Sequence, residues 1–167
     1  MLPGLPITSV TDGTSNTALF SEIKRGNFPS TPAGVYDYTT SMIRTAAFSE
    51  AEVQPDGRNI PECNANGFTL SGSQIRYVGL QYYRSGVGQC WAYSHTLPIN
   101  WNTPTNGHYP CGDGSFASSH SSAGSYHTGG ANTCMADGSV RFFAETIDFA
   151  TWQALGTRSN GESVSAQ

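Results

Sequence analysis

The chain has 167 residues, of which 37% are apolar and 12% charged, with a net charge of -4. That length and apolar share suit one domain with a modest core. With 8 basic residues against 12 acidic and no basic run, the chain lacks the electrostatic footprint of a nucleic-acid or anionic-membrane binder. Serine, threonine, asparagine and glycine fill about two-fifths of the positions, a composition that favours turns and strands over long helices. No run approaches a membrane span, and residues 1–7, broken by Pro3 and Pro6, are too short for a signal peptide.

In chain order, Asp12-Gly13 is a turn signal ahead of a short apolar strand over residues 18–23. Gly26, Pro29, Pro32 and Gly34 mark a loop. Met42, Ile43, Ala46, Ala47 and Phe48 stand at near-helical spacing, which predicts a short helix within 39–52, with Thr40 or Ser41 as N-cap and Pro55 beyond its end. Residues 74–80 alternate polar and apolar, the pattern of a half-buried strand. Residues 86–125 show no sustained period and read as a long loop region, the kind of segment that often carries function.

The sharpest local signal is Asp137-Gly138 between apolar-rich runs at 131–136 and 139–143, which predicts a hairpin with a two-residue turn. Ile147, Phe149, Ala150, Trp152 and Leu155 then follow helical spacing over about nine residues, with Thr146 or Asp148 as N-cap and Gly156 as the stop. One domain over 1–158 is expected, with 159–167 as a flexible tail lacking apolar anchors.

Cys63, Cys90, Cys111 and Cys134 contain no Cys-x-x-Cys pair, so disulfides in an oxidising compartment are the expectation rather than a zinc ribbon. Four cysteines allow three connectivities. Neighbouring pairs, Cys63 with Cys90 and Cys111 with Cys134, are favoured without excluding the others. Of the tryptophans, Trp152 falls on the apolar face of the last helix and reads as core, whereas Trp91 and Trp101 flank a polar loop where a glycan or partner surface is open to them.

Known catalytic signatures are missing: there is no Gly-x-Ser-x-Gly elbow, no His-Glu-x-x-His helix and no phosphate or dinucleotide loop. His95, His108, His120 and His127 follow no recognised metal spacing. For His127 a structural hydrogen bond to Asp137 or to a hairpin carbonyl competes with any chemical role. The four Asp-Gly pairs at 12, 56, 113 and 137 place carboxylates in turns, where hard oxygens suited to calcium gather, but each pair serves equally as a simple turn.

His127, followed by nine residues and then Asp137-Gly138, lies within a Tyr-His-Thr-Gly-Gly-Ala-Asn-Thr-Cys-Met-Ala-Asp-Gly-Ser-Val-Arg-Phe-Phe stretch. It resembles the C-terminal signature of bacterial prepilin-like proteins of the type II secretion pseudopilin kind. Thr11-Asp12-Gly13-Thr14-Ser15-Asn16-Thr17 with Glu22, the His-Thr-Leu-Pro run at 95–98, and the segments at 146–148 and 154–157 are similar too.

The resemblance implies an α+β pseudopilin-like head, an antiparallel β-sheet with a few short helices and long loops, in a periplasmic or extracellular setting. Members open with an apolar membrane-anchoring helix. This sequence starts near the middle of that pattern, so what it matches is the head.

The resemblance further implies one calcium ion, for which Asp113 and Asp137 are the candidate ligands. Its expected partners are other pseudopilin or secretion-system subunits. The alternative is a divalent-metal-dependent hydrolase of a small ester or lactone, such as an acyl-homoserine lactone, with His127 and Asp137 as the catalytic pair.

Overall fold

The structure is a computed structural model that describes residues 4–25, 42–44, 74–75, 78–79, 93–101, 111–112 and 119–161. Two small sheets and one helix organise them. The first sheet is antiparallel, with order β1 (Ala18–Ser21), β6 (Gly130–Met135) and β7 (Val140–Ala144). The second has order β3 (Gln74–Ile75), β2 (Met42–Arg44), β4 (Cys111–Gly112) and β5 (Ser119–His120), in which β2 and β4 run parallel. With the helix α1 (Phe149–Leu155), this is the small α+β fold expected. No helix among the described residues is long and apolar enough to cross a membrane.

The central strand β6 alternates its side chains across the sheet. Ala131, Thr133 and Met135 are fully buried on the inner face, where Phe143 sits opposite Ala131. Trp152 and Leu155 of α1 close over that face, with Ile99 and Ala123 completing the core. The Trp152 ring meets Phe143 at 5.9 Å, and its indole N–H donates to the Leu97 carbonyl at 3.0 Å. Burying an indole of about 200 Å² contributes about 5 kcal/mol, which holds only because its polar group is satisfied. Trp152 is therefore core, as its spacing predicts.

On the outer face the register places Phe20, Cys134 and Val140 in one row across all three strands, with Phe142 beside them. Phe20, Val140 and Phe142 are 54%, 65% and 51% exposed. Cys134 carries a free thiol. The Cys111–Cys134 pairing is thus not made: alternation along β6 turns Cys134 to the outer face, whereas Cys111 is fully buried and disulfide-bonded elsewhere. The Cys63–Cys90 pairing lies outside the described residues.

Three further expectations are corrected. Within 39–52, where a helix is predicted, Met42–Arg44 form a strand flanked on both sides by β3 and β4; non-local ladder bonds outweigh a near-helical spacing that includes a β-branched Ile43. The rest of that segment lies outside the described residues. The loop-like region 86–125 contributes β4 and β5, whose two-residue ladders are too short to show a period. Of the strand expected over 74–80, Gln74–Ile75 form β3, whereas Val78-Gly79 turn the chain with Gly79 at φ 70°.

The hairpin is present, but its loop has three residues, Ala136, Asp137 and Gly138. Met135 N–H donates to the Ser139 carbonyl at 2.8 Å and Gly138 N–H to the Met135 carbonyl at 2.9 Å. Only Gly138, at φ 85°, is left-handed. This is a turn closed by a glycine bulge rather than the doubly left-handed two-residue turn.

The helix α1 takes the second of its two expected N-caps. Asp148 is its N-cap, with its carboxylate accepting the Thr151 N–H at 2.9 Å. Its C-cap Gly156 has φ -83°, so the glycine is not there for a left-handed stop.

Asp12 ties the two ends of the described chain together. Its Oδ2 accepts the Asn160 N–H at 3.0 Å and its Oδ1 the Gly161 N–H at 2.9 Å. Asn160 and Gly161 are therefore anchored through their backbone, and 162–167 lie outside the described residues.

Candidate functional site

Glu22 directly follows β1 and extends its pairing with β6 through both backbone and side chain. Its N–H donates to the Asn132 carbonyl at 3.1 Å, while its Oε2 accepts the Asn132 N–H at 2.8 Å and its Oε1 the Asn132 Nδ2 at 3.3 Å. A carboxylate clamped in this way has one orientation. His127 Nε2 lies 3.3 Å from Glu22 Oε1, with the two side chains 60% and 36% exposed respectively. Burial pushes the Glu22 carboxyl up, but the Asn132 N–H and side-chain amide, together with His127, outweigh it and hold the group below its usual range.

The loop carrying His127 is pinned from below. Ser125 Oγ donates to the Gly130 carbonyl at 2.7 Å and accepts the His127 N–H at 3.0 Å. Ser125 N–H donates to Asn100 Oδ1 at 3.0 Å, and Asn100 is left-handed at φ 56°. Gly124 N–H donates to the Glu22 carbonyl at 2.9 Å, and Lys24 Nζ sits 5.5 Å from the centre of the Tyr126 ring. Glu22, Ile23, Gly124, Ser125, Tyr126 and His127 line an open cleft of about 330 Å³. A larger groove of about 610 Å³, between the N-terminal segment and residues 156–160, contains no histidine or carboxylate.

The other predicted site residues are dispersed. Asp137 lies in the hairpin turn, where its Oδ1 accepts the Ser139 N–H at 2.9 Å and the Ser139 hydroxyl at 2.7 Å. Those two Ser139 bonds, more than the nearby Arg141, hold its carboxyl below the usual range. His127 precedes β6 and Asp137 follows it. Six strand residues span roughly 20 Å, so the structure does not bring this pair together.

His95 and His120 are interior. The His95 ring stacks on Trp152 at 3.9 Å, with Nδ1 2.6 Å from the Trp152 carbonyl and Nε2 3.2 Å from the Tyr93 hydroxyl. His120 is fully buried, with Nδ1 2.6 Å from Thr96 Oγ1. Burial pushes both imidazoles down to about 4.

Trp101 is half-buried, and its backbone N–H is held by Ser122 Oγ at 3.0 Å. Asp113, Asp56, His108 and Trp91 lie outside the described residues. Among the described residues no three His, Cys, Asp or Glu side chains gather in a way that would hold a metal ion.

Glu22 and Asn132 are the members of the site that residue-by-residue reasoning did not single out. Both stand inside the quoted prepilin-like stretches, one in each, so the signal was joint occurrence rather than spacing. A family model described as "Protein of unknown function (DUF1559)" matches residues 4–150 of the chain. No curated protein and no solved structure matches it.

Proposed function

The chain belongs to the DUF1559 family of prepilin-like bacterial proteins, and from that premise we propose that it is a pseudopilin-like extracytoplasmic structural or interaction domain. The observation that carries this reading is the outer face of the first sheet, where Phe20, Val140 and Phe142 are more than half exposed in adjoining rows. Apolar side chains grouped on one sheet face favour contact with another protein. The hydrogen bonds of other polar groups support the same reading, because the interior His95 and His120 and the more exposed Asp12 and Asp148 are engaged in holding the fold.

The partners proposed are other pseudopilin or secretion-system subunits. The test is binding of purified subunits of that kind to the full chain and to its Phe20→Ser variant. Binding lost in the variant supports the reading, and binding to neither form removes it.

A calcium ion at Asp113 and Asp137 belongs to the same proposal. The described residues do not by themselves make such a site, because Asp137 Oδ1 is already engaged by Ser139 and calcium takes six to eight oxygens. If calcium is structural here, chelator lowers the melting temperature and added calcium restores it. An unchanged melting curve removes the ion from the proposal.

Ester or lactone hydrolysis is the second reading, and the observation favouring it is the exposed His127 ring beside the clamped Glu22. A carboxylate that orients an imidazole equips it to take a proton from water. Turnover of small esters or acyl lactones that vanishes in His127→Ala and persists in Asp137→Ala would support this pair. No turnover by the parent chain, with or without added divalent metal, ends that reading.

A further inference from the structure

β7 is the last strand of its sheet, and no described strand lies beyond it. Successive residues of an antiparallel strand turn their backbone groups alternately toward the partner and away from it. The bonds from Met135 N–H to the Ser139 carbonyl and from Glu145 N–H to the Gly129 carbonyl, both 2.8 Å, set the phase. Ser139, Arg141, Phe143 and Glu145 therefore face β6, while Val140, Phe142 and Ala144 turn their N–H and C=O groups to the open edge. Of these, the Ala144 carbonyl accepts the Ile147 N–H at 3.0 Å.

Edge strands that stay unpaired are usually blunted by proline, by lysine or by a bulge. β7 reads Val-Arg-Phe-Phe-Ala, and its pairing with β6 runs without a register shift from Gly130↔Ala144 to Cys134↔Val140. The exposed Val140 and Phe142 side chains stand on the outer face beside this edge. Open backbone donors and acceptors next to apolar side chains are completed by one kind of partner, an extended strand.

We propose that this strand is β7 of a second copy of the chain, paired antiparallel and centred on Phe142, so that the two three-stranded sheets become one. The inference rests on the interaction-domain reading and names its partner. Centring on Phe142 overlaps the whole strand, setting Phe142 against Phe142 of the second copy and Val140 against Ala144. Arg141, the only charged residue in β7, then lies diagonal to Glu145 of the second copy on the same face, and the two-fold axis repeats that contact. The apolar pattern is thus self-complementary in this register, and the two Arg141–Glu145 diagonals offset the one equally spaced diagonal between the two Arg141 side chains.

The test is sedimentation of the full chain, with Cys134 changed to Ser so that no intermolecular disulfide imitates the complex, over micromolar to near-millimolar concentrations. A reversible dimer is expected. Phe142→Lys sets two cations against each other across the axis and weakens the dimer more than about tenfold, while the melting curve of the monomer stays close to the parent's. Glu145→Arg weakens the dimer, and adding Arg141→Glu to it restores association.

A chain that stays monomeric throughout, or a dimer indifferent to Phe142→Lys, overturns the proposal. If the monomeric chain still binds secretion-type subunits and loses them in Phe20→Ser, only the β7 pairing fails. If it binds nothing, both readings fail.

Discussion

A Cβ on Gly156 would stand 2.5 Å from Cγ and 2.6 Å from Cβ of His95. The His95 ring has no room to retreat, because it is stacked on Trp152 and bonded to the Trp152 carbonyl. Gly156→Ala is therefore expected to destabilise the fold by about 1–3 kcal/mol through overpacking, read as a lower urea midpoint; an unchanged midpoint would show that the helix end moves freely. From the sequence Gly156 reads as a helix stop, and the helix does end there. The reason, a ring arriving from 61 residues upstream in the chain, has no local trace. The same holds for His127: its spacing from Asp137 suggested a pair, yet its carboxylate is Glu22, brought to it by the β1–β6 ladder.

Among the elements, the β6–β7 hairpin was the most legible because all its information is local: apolar runs, an Asp-Gly pair and a strand length matched on both sides. Its loop carries one left-handed residue, Gly138, and open space surrounds the position of a Cβ there. Gly138→Ala is expected to cost about 1–2 kcal/mol from backbone strain alone, and Gly138→Asn less, since asparagine tolerates that region. Equal losses for the two variants in chemical unfolding would mean that the turn relaxes to another type. β2 shows the opposite case, since its strand state depends on partners more than 30 residues away on one side and more than 60 on the other. Periodicity within 39–52 cannot register such partners.

At the scale of the whole molecule, the two interior histidines tie stability to pH. Each is neutral in the folded state down to about 4, against an ordinary value of 6.5. Between those values the unfolded chain binds more protons than the folded one, so stability is complete above about pH 6.5 and falls as pH drops toward 4. The loss is on the order of 3 kcal/mol per histidine, a large fraction of an ordinary domain's stability. Urea midpoints measured from pH 7.5 down to 4 should fall through this window, and His120→Gln should flatten part of the slope. A flat profile in the parent would mean that neither ring is desolvated.

Composition, the hairpin, the capped helix with its buried Trp152 and the prepilin-like stretches were determined by the sequence itself, because each rests on neighbours within a turn or two of chain. The tertiary structure alone decided that Cys134 faces outward with a free thiol, that Glu22 rather than Asp137 meets His127, and that β7 is the last strand of its sheet among the described residues. Each of these depends on which strand lies beside which and on which face is covered. Strand order and alternation across a sheet are long-range properties that no window of sequence contains.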